Sequence, residues 1–129
     1  MIVLDSSAVL AIVLSEPQAE ECLHAVEKAD ALAMSAVTFS ETLIVARFRG
    51  VEELTRELLE GWGVTILDAT ASVASRVVQV YGQLGKGQHP ASLNFCDCFA
   101  YEAAKTNNCP LLYVGRDFSQ TDVIAALPD

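Results

Sequence analysis

The feature that most constrains the fold is a regular alternation between short apolar runs and longer segments of helical length. Apolar runs of strand length stand at residues 1–5, 31–35, 64–68 and 110–115, and helical segments separate them. Strands that alternate with helices are typical of an α/β domain with a mainly parallel sheet, because parallel strands need long crossover connections. The pattern predicts a single domain over residues 1–129, a length that can bury one sizeable core.

The helical segments are marked by apolar spacing, capping residues and breakers. We expect helices at about 7–15, 17–29, 36–50, 51–62 and 70–84, another beginning at Asn94, and a short terminal helix over 119–127. Ser35 is suited to cap the third of these helices, and the loop GKGQHPAS at 85–92 ends the fifth.

The composition and net charge of the chain indicate its cellular location and the kinds of partner that it can bind. The longest apolar run covers only residues 8–14, whereas a membrane span needs roughly 20 residues, so this run predicts a buried segment. The N-terminus has no basic flank and carries Asp5, which argues against a signal peptide and favours a cytoplasmic location. A net charge of −9 argues against a broad basic face for nucleic acid, and is compatible with a metal site or a basic protein partner.

The four cysteines are predicted to be free structural thiols. A reducing compartment and a chain of this size do not require disulfides. Cys96 and Cys98 are separated by one residue, so on a helix they point about 200° apart and do not share one metal ion. The spacing therefore does not indicate a zinc site.

Four acidic residues fall where a parallel sheet of this kind binds its ligands, outside the carboxyl ends of the strands. They are Asp5 at the end of the first run, Glu41 in the helix after the second, Asp97 in the first turn of the helix before the last run, and Asp117 shortly after that run. Crowded carboxylates repel one another, and a divalent cation such as Mg²⁺ or Mn²⁺ relieves that repulsion. The arrangement predicts a metal site suited to phosphate-ester hydrolysis.

Each acid also has a simpler interpretation. Asp5 can cap the first helix, and Asp97 can form a capping box with Asn94. Glu41 can be an exposed helix residue, and Asp117 a turn residue. The metal-site hypothesis is favoured because Asp5 and Asp97 are embedded in apolar sequence, where a carboxylate is costly.

Four segments contain the candidate acids and the residues around them: MIVLDSSAVLAIV, SETLIVARFRG, GKGQHPASLNFCDCFAYEAAK and LLYVGRDFSQTDV. Together they resemble the PIN-domain family, and most of all the VapC toxins of bacterial toxin–antitoxin pairs. The resemblance implies a three-layer α/β/α sandwich and a Mg²⁺- or Mn²⁺-dependent endoribonuclease. It assigns the family's acids to Asp5, Glu41 and Asp97, and its hydroxyl position beside the first acid to Ser6. The fourth acid falls on Asp117, with Asp122 in reserve.

The resemblance also carries expectations about partners and about one departure from the family pattern. Such toxins cleave RNA, are held inactive by a cognate antitoxin, and usually form homodimers. Arg116 lies nearest the proposed site and is a candidate contact for RNA phosphates. Cys96 stands where the family commonly has Gly, and we interpret it as a tolerated substitution rather than a redox sensor.

Two other functions remain open on the residues alone. An aspartyl-phosphate-type hydrolase also has an acid after its first strand, but it needs a second acid where this chain has Ser7. A non-catalytic interaction module with a PIN fold would have no reason to keep four costly carboxylates.

Overall fold

A computed structural model describes residues 1–128 and contains one parallel sheet. Its strands are β1 (Ile2–Leu4), β2 (Leu32–Ser35), β3 (Thr65–Leu67) and β4 (Leu111–Leu112). They lie in the order β3-β2-β1-β4, and every neighbouring pair is parallel. The predicted parallel sheet is confirmed, and β1 lies near its centre.

Six α-helices connect these strands within the described residues. They are α1 (Ser6–Val13), α2 (Ala19–Lys28), α3 (Ala36–Phe48), α4 (Glu52–Gly61), α5 (Ala71–Leu84) and α6 (Phe95–Thr106). Side chains cap the starts of four of them: Asp5, Ser35, Thr70 and Asn94 each accept a backbone N–H of the first turn. The segment predicted to be helical from residue 17 becomes helical only at Ala19.

The helices cover both faces of the sheet, because successive strand residues point to opposite sides. Val3 lies in a core built with α5 and α6, and the next residue, Leu4, lies in a second core built with α1 and α2. On β4, Leu111 and Leu112 divide between the same two cores. The predicted three-layer α/β/α arrangement is therefore confirmed.

The helix predicted at residues 119–127 is wrong. A single 3₁₀ turn covers Phe118–Gln120, and the chain then forms a parallel bridge between Leu111 and Ala125. The Leu111 N–H donates to the Ile124 carbonyl (2.8 Å), and the Ala126 N–H donates to the Leu111 carbonyl (2.9 Å). The outer edge of β4 has backbone groups that need partners, and this requirement overrides the local helical pattern.

Within residues 1–128, no helix is both long enough and apolar enough to cross a membrane.

Candidate active site

Asp5 occupies the carboxyl end of β1 and begins α1. Its Oδ2 accepts from the Ser7 N–H (3.1 Å) and from the Ser7 hydroxyl (2.6 Å). The residue is only 4% exposed. Burial raises the pKa of Asp5, the Ser7 hydrogen bonds lower it, and the charge of Glu41 raises it further. Asp5 is therefore both a helix cap, as its simpler interpretation held, and a buried acid in the field of a second carboxylate.

The hydroxyl that holds Asp5 belongs to Ser7 and not to Ser6. The Ser7 hydroxyl donates to Asp5 and also accepts from the Val114 N–H (3.0 Å), so it ties the end of β1 to the segment after β4. Ser6 is buried and acts on Asp5 through its backbone N–H, which lowers the pKa of the carboxyl. The sequence signal for Ser7 was its place two residues after the cap, where first-turn groups bond the capping side chain.

Asp97 combines the two interpretations that the sequence offered for it. The Asn94 N–H donates to Asp97 Oδ2 (3.0 Å) and the Asp97 N–H donates to Asn94 Oδ1 (2.8 Å), which completes a capping box at the start of α6. Asp97 is nevertheless 9% exposed. Burial raises its pKa to about 6, opposed by the Asn94 backbone bond and reinforced by the charges of Asp5 and Asp117.

Glu41 lies on α3 and interacts with Asp5. Its charge raises the pKa of Asp5. Its charge and a side-chain hydrogen bond both raise the pKa of the thiol of Cys96, the neighbour of Asp97. The side chain is half-buried, and its Oε1 is buried with no hydrogen-bond partner. A buried carboxylate oxygen without a partner is unusual and calls for a ligand or a water molecule.

The two candidates for the fourth acid lie in different places. Asp117 is exposed at the start of the 3₁₀ turn, beside the exposed Arg116, and its charge reaches Asp97. Asp122 accepts from the Tyr101 hydroxyl (2.6 Å) and from Lys105 Nζ (3.0 Å), and these bonds lower its pKa. Lys105 is eight residues beyond Asp97 on α6, or about 12 Å along the helix axis.

The acids suit a hydrated cation better than a closed metal cage. Among residues 1–128, no three His, Cys, Asp or Glu side chains converge as a ready set of ligands. Mg²⁺ usually keeps several waters and needs only one or two carboxylates from the protein. Two buried aspartates and the unpartnered Glu41 Oε1 fit that requirement, because all three are hard oxygen donors.

The thiols are free and poorly suited to nucleophilic chemistry. All four cysteines are unpaired, as predicted, and Cys98 is fully buried in the core of α5 and α6. Burial raises the pKa of Cys96 to about 11, and the charge of Glu41, a hydrogen bond to Glu41, and the charges of Asp97 and Asp5 add to the effect. Both thiols are therefore protonated at neutral pH, whereas the thiolate is the reactive form.

Removing these thiols should leave catalysis nearly intact. We expect Cys96→Gly and Cys98→Ala to retain cleavage of RNA within about tenfold of wild type, because effects of catalytic groups are larger. Cys98→Ala should lower the melting temperature, since it leaves a small cavity in a core. Cleavage rates and melting curves measure the two effects separately, and a loss beyond about 10³-fold in a folded variant would assign the chemistry to a thiol.

Comparisons with known proteins agree with this architecture. The family model described as "PIN domain" matches residues 2–124. Ribonuclease VapC30 of Mycobacterium tuberculosis is 39% identical over 130 residues, which cover 98% of this chain and 99% of that protein.

Two solved structures share the fold at low sequence identity. The crystal structure of VapC20 of Mycobacterium tuberculosis, a sarcin–ricin-loop-cleaving toxin, aligns with a TM-score of 0.82 at 13% identity, covering 99% of this chain and all of that one. A toxin–antitoxin complex from Klebsiella pneumoniae aligns with a TM-score of 0.76 at 18% identity, covering 98% of each chain.

The sheet order, the two helical layers and the match over residues 2–124 show that the chain belongs to the PIN-domain family. Within that family, its similarity over nearly the whole length is to the VapC ribonucleases.

Proposed function

We propose that the chain is a metal-dependent endoribonuclease and the toxin of a toxin–antitoxin pair. The observation that supports the proposal is that Asp5, a buried carboxyl at the end of β1, interacts electrostatically with Glu41 of α3 and with the buried Asp97 of α6. Burial and the charges of neighbouring carboxylates disfavour ionisation of the two aspartates. Buried acids of this kind are costly to the fold and are therefore typical of functional sites. The VapC relatives, which are named as ribonucleases, supply the reaction class.

In this proposal, Asp5 and Asp97 hold Mg²⁺ or Mn²⁺, and Glu41 and Asp117 complete the acidic ring. When bound, such a cation polarises a phosphoryl oxygen and lowers the pKa of a water molecule. The protein's own part is positioning: Ser7 fixes Asp5, the box with Asn94 fixes Asp97, and the free Glu41 Oε1 is available to accept a proton from water.

Several exposed residues are candidates for contacts with substrate and partners. Arg116 is exposed next to Asp117, and its positive charge supports a contact with an RNA phosphate. On α3, Ile44 and Phe48 are 57% and 85% exposed and lie on one face of the helix, since they are four residues apart. An apolar surface of this kind supports burial by a homodimer partner or an antitoxin. A solved structure with the same fold is a toxin–antitoxin complex.

The alternative of an aspartyl-phosphate-type hydrolase is not favoured. That chemistry needs an acid at the position of Ser7, whose hydroxyl is already engaged by Asp5 and Val114.

Metal removal tests the proposed function directly. We expect the purified chain to cut RNA with Mg²⁺ or Mn²⁺ and to lose that activity in EDTA, because in the proposed mechanism the cation polarises the phosphate and lowers the pKa of the attacking water. Readdition of Mn²⁺ should restore cleavage, and sequencing of the cleaved ends would identify the RNA and the position of the cut. Cleavage that persists in EDTA would refute the metal-dependent mechanism.

A further inference from the structure

Three threonines in the helices are equally buried, but the hydroxyl of only one of them lacks a hydrogen-bond partner. Thr38, Thr42 and Thr55 are all 0% exposed. The Thr42 hydroxyl donates to the Thr38 carbonyl (2.7 Å) and the Thr55 hydroxyl donates to the Val51 carbonyl (2.7 Å). The Thr38 hydroxyl has no partner, and within residues 1–128 the only other such buried side-chain atom is Glu41 Oε1.

The position of Thr38 explains why its own helix does not satisfy it. Thr38 is the third residue of α3, so the residue four positions earlier is Met34, which belongs to β2. The i−4 carbonyl that Thr42 and Thr55 use is, for Thr38, that of Met34, which precedes the cap Ser35, and the Thr38 hydroxyl is bonded neither to it nor to another carbonyl. Val would fill the same space without a buried unpaired hydroxyl, so the hydroxyl calls for a partner outside the helix.

Neighbouring side chains define the direction in which Thr38 points. Val37 packs against the core of α5 and α6, and Phe39 packs against the core of α1 and α2. Thr38 lies between them, about 100° around the helix from each, and therefore faces the sheet edge that separates the two cores. Asp5 stands at that edge, at the end of β1.

Glu41 is the neighbour of Thr38 on the same side of α3. Residues three apart on a helix have Cβ atoms about 5–6 Å apart, so a water molecule can lie between the polar ends of the two side chains. The Thr38 hydroxyl can donate to such a water, and the water can donate to Glu41 Oε1. One water would then satisfy both of the unpartnered atoms.

We infer that Thr38 is a positioning residue, which holds Glu41 at the acidic edge through an ordered water. The inference deepens the proposed function and rests on it, because Glu41 matters to catalysis only if the acids bind metal and cut RNA. Partners that orient the groups of a metal site change metal affinity or activity by about 10–100-fold when they are removed.

The test compares Thr38→Val, which removes the hydroxyl, with Thr38→Ser, which keeps it. We expect Thr38→Val to raise the Mn²⁺ concentration at the midpoint of a thermal-shift titration by about tenfold, and to lower kcat by about tenfold with KM for RNA unchanged. Thr38→Ser should stay within about twofold of wild type in all three measurements. Thr55→Val is the matched control, since it removes an equally buried hydroxyl from α4 and should change none of them.

Different results would overturn the inference and the proposed function. A Thr38→Val protein with wild-type Mn²⁺ midpoint and kcat overturns the inference alone. A crystal structure of the wild-type protein without a water in hydrogen-bond range of both Thr38 Oγ1 and Glu41 Oε1 does the same, even if Thr38→Val fails to fold. A wild-type protein that neither responds to Mn²⁺ nor cuts RNA overturns the proposed function.

Discussion

Asp97→Asn should stabilise the metal-free protein at pH 7.5 while lowering RNA cleavage by about 10³-fold. In the folded chain the pKa of Asp97 is about 6, above its ordinary value of 3.8. A carboxyl whose pKa is raised on folding favours the folded state while it is protonated, and that contribution is lost as the pH rises through about 4 to 6. At pH 7.5 the ionised Asp97 therefore opposes folding, and Asn relieves this.

Whether Asp97→Asn raises or lowers stability depends on the relative sizes of two effects, the cost of the buried charge and its favourable interaction with the helix dipole. The difference between about 6 and 3.8 corresponds to at most roughly 3 kcal/mol of folding free energy. A negative charge in the first turn of a helix is worth only about 0.3–1 kcal/mol, so its loss from α6 is the smaller effect. We expect the advantage of Asp97→Asn to grow between pH 4.5 and pH 7.5, and Mn²⁺ to stabilise the variant less than wild type.

Melting curves in EDTA at the two pH values, repeated with Mn²⁺ at pH 7.5, measure these effects beside a cleavage assay. Glu53→Gln is the control, because it removes an exposed first-turn charge from α4 and should neither stabilise the protein nor change cleavage. Suppose that Asp97→Asn melts lower than wild type in EDTA at pH 7.5, keeps the full Mn²⁺ shift and still cuts RNA. Asp97 would then be a helix cap and nothing more.

The sheet and its helices could be predicted because their signals are local. Each apolar run has strand length, and caps such as Ser35 and Asn94 mark helix starts within a few residues. The terminal segment was mispredicted because its conformation is determined by the open edge of β4. The local sequence of residues 119–127 does not show that a backbone group elsewhere, such as the Leu111 N–H, needs a hydrogen-bond partner.

The candidate site also has parts with a local sequence signal, which could be predicted, and parts that depend on long-range contacts, which were missed. Acids at the ends of strands are visible in the sequence, whereas the hydrogen bond from the Val114 N–H to the Ser7 hydroxyl joins residues 107 positions apart and has no local signal. Thr38 was missed because a threonine in a helix is ordinary. Only a comparison of hydrogen bonds among equally buried threonines distinguishes it.

Asp117→Asn and Asp122→Asn should separate the two candidates for the fourth acid. The charge of Asp117 raises the pKa of Asp97, so the two groups interact, whereas Asp122 is bound to Tyr101 and Lys105 further along α6. We expect Asp117→Asn to lower cleavage by about 10²-fold or more and to lower the pKa of Asp97. Asp122→Asn should leave cleavage within about threefold, with a stability loss of about 0.2–1 kcal/mol, as for an exposed ion pair.

Tyr101→Phe is the matched control for Asp122, because it removes the 2.6 Å hydrogen bond but keeps the carboxylate. Cleavage rates, melting curves and an NMR titration of Asp97 in EDTA measure the three quantities independently. If Asp122→Asn abolishes cleavage while Tyr101→Phe does not, the carboxylate of Asp122 itself is required, and the assignment of Asp117 is wrong. If both variants lose cleavage equally, the bond to Tyr101 holds α6 and the terminal segment in the active arrangement. Only a loss confined to Asp117→Asn, together with a lowered pKa of Asp97, places the fourth charge at the acidic edge of the sheet.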